Sequence, residues 1–247
     1  MQKEKKEILF EFTIPRTGTR FLRHLFTLHQ DIYRFDYKKI NKGLFGKEKL
    51  ETNCLSYSDD FEQELLKFKP PTYQYLFMLA HWFWEIAEPF LFMPDTIKSK
   101  SPKTVIVTPL RHPFSVQKSC ILRGAGEERH LRFWHAVLQA VGKKSIIPVP
   151  LDLLGQMPEE KRLAEMQILF DFLDLEISDE LEEFIRKDAK NGKQENKDKT
   201  LTEEQSKRIE KTMDFGNFIK AAQDAGIPYG NSPEEPIGTF TFNDFLE

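Results

Sequence analysis

The chain of 247 residues is 40% hydrophobic and 30% charged with a net charge of −3, enough apolar material for one packed core and too little positive charge for an evenly basic nucleic-acid binder. No run of about 18 apolar residues and no signal-type N-terminal segment is present, so neither a membrane-spanning helix nor a membrane partner is expected. Cys54 and Cys120 lie far apart without metal-ligand spacing, so the expectation is a cytoplasmic protein that binds no metal and no nucleic acid.

Charge is unevenly laid out. Residues 1–50 carry 12 Lys and Arg against 6 Asp and Glu, residues 101–150 carry 8 against 2, and residues 151–247 carry 12 against 23. Two basic segments in an otherwise acidic molecule point to a compact anionic ligand.

Residues 7–14 read as a strand, and residues 18–30 as a helix whose Phe21, Leu22, Leu25, Phe26 and Leu28 follow a helical period. Residues 31–57 show neither period and read as irregular. Helices are expected over 59–68 and 73–88, with Pro70 and Pro71 ending the first and preceding the second. After a short apolar run at 90–93 comes "KTVIVTPL", a β-branched run fit for a buried strand. Pro113 stands at the first turn of the next helix, where its missing N–H is no loss. A further helix is expected over 127–141, "SIIPVP" reads as a short strand, and the remainder is mostly helical.

This alternation predicts a parallel sheet covered on both faces, with binding sites at the carboxyl ends of its strands. Both basic segments put their charge at such ends. One domain spans 1–247, with a polar loop expected to be mobile over 187–200 and a tail over 231–247.

Between the first strand and helix lies "PRTGT", residues 15–19. A strand running into a helix leaves backbone N–H groups unpaired at the positive end of the helix dipole, so the turn cradles anions. Gly18 lets a ligand approach the backbone, Thr17 and Thr19 add hydroxyl donors, and Arg16 brings a planar fork. An ordinary helix cap with a surface arginine reads the same way. The nucleotide-hydrolase pattern GxxxxGK[ST] is not met: Thr13 stands at its first glycine, and neither Lys-Ser nor Lys-Thr follows Gly18. That argues against ATP or GTP hydrolysis.

"VIVTPLRHPFSVQKS" supplies a second strand end, with Arg111 in the loop, Pro113 opening the helix and Ser119 eight positions after Arg111. Together with "PRTGT" it resembles the sulfotransferase family, enzymes that use 3′-phosphoadenosine 5′-phosphosulfate. The resemblance implies a three-layer α/β/α fold, P-loop-like, around a mostly parallel sheet. It implies that Arg16, Thr17, Gly18 and Thr19 hold the 5′-phosphosulfate, that Arg111 and Ser119 hold the 3′-phosphate, and that no metal is needed. Fainter similarity in "SIIPVPLDLLGQMPEEKRLAEMQILFDFLDLEIS" and "LTEEQSKRIEKTMDFGNFIKAAQDAGIPYG" extends it over residues 8–230.

Arg20 and Phe21 stand where the family often has Thr-Trp, so Phe21 is expected against adenine and Arg20 is a departure. The "RKGxxGDW" loop of cytosolic members is absent, with Lys193, Lys197 and Lys199 as the nearest basic substitutes.

By this resemblance, catalysis rests on positioning and charge stabilisation of an in-line transfer. Arg16 stands where tyrosylprotein and several carbohydrate sulfotransferases also have arginine. Permanently charged, it is expected to stabilise the leaving oxygen and not to donate a proton. An alcohol acceptor also needs a base. "LFTLHQDIYRFDY" is similar to a tyrosylprotein sulfotransferase stretch ending at its catalytic Glu, which sets Asp36 one position before that residue and makes it the leading base. His81, between the two motifs, is second, and Asp95 third.

Each assignment has a plainer counterpart: a solvated carboxylate for Asp36, a core histidine for His81, an arginine tied to a surface carboxylate for Arg111, and a serine bonded to its own helix for Ser119. The aromatic set Tyr73, Tyr75, Phe77, Trp82, Phe83 and Trp84 reads mainly as core. The expected activity is sulfuryl transfer to a hydroxyl of a small-molecule or carbohydrate acceptor. A non-catalytic adenine-nucleotide-binding protein of the same fold is the competing reading. A divergent nucleotide kinase is disfavoured by the missing lysine.

Overall fold

The protein's structure, a computed structural model, describes residues 6–13, 17–35, 61–81, 98–99, 101–122, 134–188, 201–212 and 215–246. β1 (Ile8–Thr13) leads into α1 (Thr19–Leu28) and β2 (Ile32–Arg34), followed by α2 (Phe61–Leu66), β3 (Tyr75–His81), β4 (Thr104–Leu110) and α3 (Pro113–Ile121). After α4 (Trp134–Gly142) and β5 (Ile147–Pro150) come α5 (Leu151–Gln156), α6 (Glu159–Phe172), α7 (Asp179–Asp188), α8 (Glu203–Thr212) and α9 (Phe215–Asp224), with a 3₁₀ turn at Phe242–Asp244.

Among the described residues the strands form one all-parallel sheet in the order β2-β3-β1-β4-β5. From β1 the chain crosses through α1 towards the β2 edge, and from β4 it crosses through α3 and α4 towards β5. Right-handed crossovers running in opposite directions lay their helices on opposite faces. The result is the expected three-layer α/β/α architecture. The Phe26 ring of α1 lies 5.4 Å from Phe77 of β3 and 6.3 Å from Phe170 of α6, so α1 and α6 share a face. On the other, α9 packs on α3 and α4. Every residue of β4 is buried, as a strand covered on both sides requires.

Two expectations are corrected. Of residues 73–88, read as a helix, Tyr75–His81 is the strand β3, in register with Ile8–Thr13 on one side and Ile32–Arg34 on the other, while 82–88 lie outside the described residues. Tyr75, Leu76 and Phe77 are all buried, and a continuously apolar run carries no period-two signal. The Tyr75 hydroxyl donates to the Leu173 carbonyl at 2.9 Å, tying the start of β3 to the end of α6. Residues 31–57, read as irregular, contribute the edge strand β2. The run at 90–93 lies outside the described residues, as do 189–200 of the polar loop, whose first two positions close α7.

The C-terminal segment docks on α6. Phe240 lies 5.0 Å from Phe242 and 5.5 Å from Phe245, all three buried, and the Phe242 N–H donates to Glu165 Oε2 at 2.9 Å. Among the described residues no helix is long and apolar enough to cross a membrane.

Glu11 is at odds with its place in β1. It is fully buried between Phe10 and Phe12, in register with Leu79 and Val107, and neither carboxylate oxygen has a hydrogen-bond partner. Burial raises its pKa well above the ordinary carboxylate value, opposed by Arg23 of α1. The folded chain therefore keeps a proton that the unfolded chain releases above a pH of about 4.3. Stability is intact below that pH and is lost as pH rises through the raised folded value. Glu11→Gln has no such proton. Across the window the wild type should weaken against this variant by about 1.4 kcal/mol per pH unit, roughly 3 to 6 °C in melting temperature. Calorimetry of both proteins between about pH 5 and 8 checks this, and a pH-independent difference would refute it.

Candidate functional site

β1 and β4 are neighbours in the sheet, yet their chains leave for opposite faces. The carboxyl ends of two such strands flank a crevice, because the loops that follow them diverge. Both motifs fall there: residues 17–19 follow β1, and Arg111 follows β4.

Gly18 caps the N-terminus of α1 with φ 112° and ψ 19°, a conformation that side chains with a Cβ rarely adopt. Its carbonyl accepts the Phe21 N–H at 2.8 Å. A Cβ at this position would fall 1.9 Å from Leu151 Cδ1. The conformation demands glycine, while the overlap is with the tip of the Leu151 side chain, which a Cβ would displace. The first turn of α1 holds no acidic residue, and its N-cap is a glycine with no side chain to bond there, so the helix end keeps its attraction for an anion. Thr17 is fully buried, Thr19 half-buried and Arg20 exposed. The Phe21 ring, expected against adenine, stacks on Phe184 of α7 at 5.2 Å. Arg16 lies outside the described residues.

At the second loop, Arg111 Nε donates to Asp152 Oδ1 at 3.2 Å, and the His112 N–H donates to Asp152 Oδ2 at 2.6 Å. The terminal amino groups of Arg111 have no partner among the described residues, and the side chain is 34% exposed. His112 Nδ1 accepts the Phe114 N–H at 3.2 Å and so caps α3. Its Nε2 then carries the proton and donates to the Gly230 carbonyl at 3.1 Å. Burial lowers the His112 pKa, in keeping with a neutral ring. Tyr229 meets that ring edge-on at 5.4 Å. Its hydroxyl is buried without a partner, and burial holds its pKa well above the usual phenol value, so it stays neutral. Ser119 lies half-buried on α3, two turns beyond the cap.

The turn from β5 into α5 links the two loops. Leu151 lies on Gly18, and Asp152, the next residue, binds Arg111 and His112. His81 ends β3 in register with Thr13, the last residue of β1, so its backbone shares the same sheet edge. Asp36 and Asp95 lie outside the described residues. Asp152 was not among the expected site residues. Its only signal is an acid at a strand-to-helix junction, 41 positions from its partner.

No family model matches the chain, and no curated protein does. Among solved structures, the crystal structure of a mouse sulfotransferase, SULT7A1, complexed with PAP is similar over 88% of this chain and 90% of that one, with 14% identity and a TM-score of 0.49.

Gly18→Ala should destabilise the fold by about 1–3 kcal/mol through backbone strain, with a further loss from displacing Leu151. Adding Leu151→Ala should recover the overlap and leave the strain. Urea denaturation of the single and double variants measures this, and strictly additive losses would contradict the contact.

Proposed function

We propose that this protein is a sulfotransferase, moving a sulfuryl group from 3′-phosphoadenosine 5′-phosphosulfate to a hydroxyl of a small-molecule or carbohydrate acceptor. The observation that carries this reading is the Leu151–Asp152 link, which holds a glycine-opened helix N-terminus beside an arginine loop at the switch point of the sheet. A ligand anionic at both ends suits two such cradles on one crevice.

The residues present fit that donor. Gly18 leaves room for close backbone approach, the first turn of α1 is free of carboxylates, and the terminal amino groups of Arg111 face no protein partner among the described residues. In this reading Thr17, Gly18, Thr19 and Arg16 hold the 5′-phosphosulfate, while Arg111 and Ser119 hold the 3′-phosphate. The acceptor oxygen bonds to sulfur as the bond from sulfur to the leaving phosphate oxygen breaks, and the acceptor proton passes to a base. Arg16 and the α1 N–H groups stabilise charge on the leaving oxygen. We assign the base to His81, whose register beside Thr13 puts it at the edge where the first loop begins. Asp36 rests on the resemblance alone.

Incubation with labelled donor and a panel of phenols, sterols and sugars should yield a sulfated product and adenosine 3′,5′-bisphosphate. Binding of the bisphosphate without transfer to any acceptor would favour a nucleotide-binding protein, and magnesium-dependent use of ATP a kinase. With an acceptor in hand, His81→Ala should slow turnover by at least about 100-fold with donor affinity retained. Loss on Asp36→Ala with His81→Ala active would reverse the assignment of the base.

A further inference from the structure

Resting on the donor assigned above, we propose that Asp152 is a positioning residue: it sets the Arg111 guanidinium for a 3′-phosphate and so gives the site its preference for 3′-phosphorylated nucleotides. A guanidinium offers five N–H donors in a planar fork. With Nε tied to Asp152 Oδ1 at 3.2 Å, the edge left over is the pair of terminal amino groups. Those groups suit a phosphate gripped through two parallel bonds.

Asp152 is itself well held. Its other oxygen takes the His112 N–H at 2.6 Å, and its side chain is only 12% exposed. One carboxylate thus fixes both the side chain of residue 111 and the backbone of residue 112. An arginine one-third exposed and untethered would populate many rotamers and lose that freedom on binding. The tether takes up that loss during folding. The charge on Asp152 opposes an incoming anion, so its contribution is geometric: it trades some attraction for a fixed fork.

The alternative is a purely structural carboxylate that only holds the start of α3. The two roles separate in a selectivity ratio. Isothermal titration with adenosine 3′,5′-bisphosphate and with adenosine 5′-phosphate gives two dissociation constants per variant. The wild type should prefer the bisphosphate. Asp152→Asn should weaken the bisphosphate by about tenfold and leave the 5′-phosphate unaffected, and Asp152→Glu should restore part of the ratio. In an Arg111→Met background Asp152→Asn should cost nothing further.

Equal weakening of both ligands, or an undiminished ratio in Asp152→Asn, overturns the positioning role. Should Asp152→Asn not fold, Asp152→Glu carries the same ratio test: a ratio that neither falls in it nor depends on Arg111 overturns the role. A wild type that binds both ligands equally, or neither, overturns the donor assignment instead.

Discussion

The carboxylate of Asp152 accepts the Nε–H of Arg111 and the N–H of His112, and the side chain of the residue before it lies against Gly18. The parallel strands all end at this edge, and the chains leaving β1 and β4 depart to opposite faces. Leu151 and Asp152, the first two residues of α5, tie the two loops together. Charge-assisted hydrogen bonds of this kind are stronger than neutral ones, and here two converge on one largely buried group. The same cluster reaches the C-terminal region through His112, which caps α3 with one ring nitrogen and holds the Gly230 carbonyl with the other. Closure of the last segment and aim of the arginine loop are therefore one structural problem, solved once.

The molecule also keeps polar groups that do not help it fold. Glu11 in the central strand and the Tyr229 hydroxyl beside the arginine loop are both buried without hydrogen-bond partners. Each such group detracts from stability. The sheet tolerates them because its apolar packing is extensive: β4 is buried throughout, and the α1 face is built on rings of Phe26, Phe77 and Phe170.

Much of the architecture is legible in the sequence. The β-branched run of β4, the proline at the start of α3 and the helical period of α1 each carry their own local signal, and each element stands where that signal puts it. β3 reads as a helix because "YLFMLA" is apolar or aromatic at every position up to His81. A strand with buried neighbours on both sides shows no alternation, and dense aromatics fit a buried helix equally well. The glycine and arginine loops are legible as motifs because their chemistry is local. Asp152 is not, because its role comes from pairing across 41 residues, and an acid in the first turn of a helix reads first as an ordinary dipole partner. Phe21, expected against adenine by the resemblance, has Phe184 of α7 as a neighbour in space, a contact across 163 positions that its own stretch of chain does not announce.

The claim on which all of this depends is that the two loops grip opposite ends of one ligand. A crystal structure of the full chain grown with adenosine 3′,5′-bisphosphate tests it most directly. The account predicts the 5′-phosphate on the N–H groups around Gly18 and the 3′-phosphate across the terminal amino groups of Arg111, with Asp152 still bound to Nε. A ligand seated elsewhere, or held by one loop while the other faces away, would contradict it.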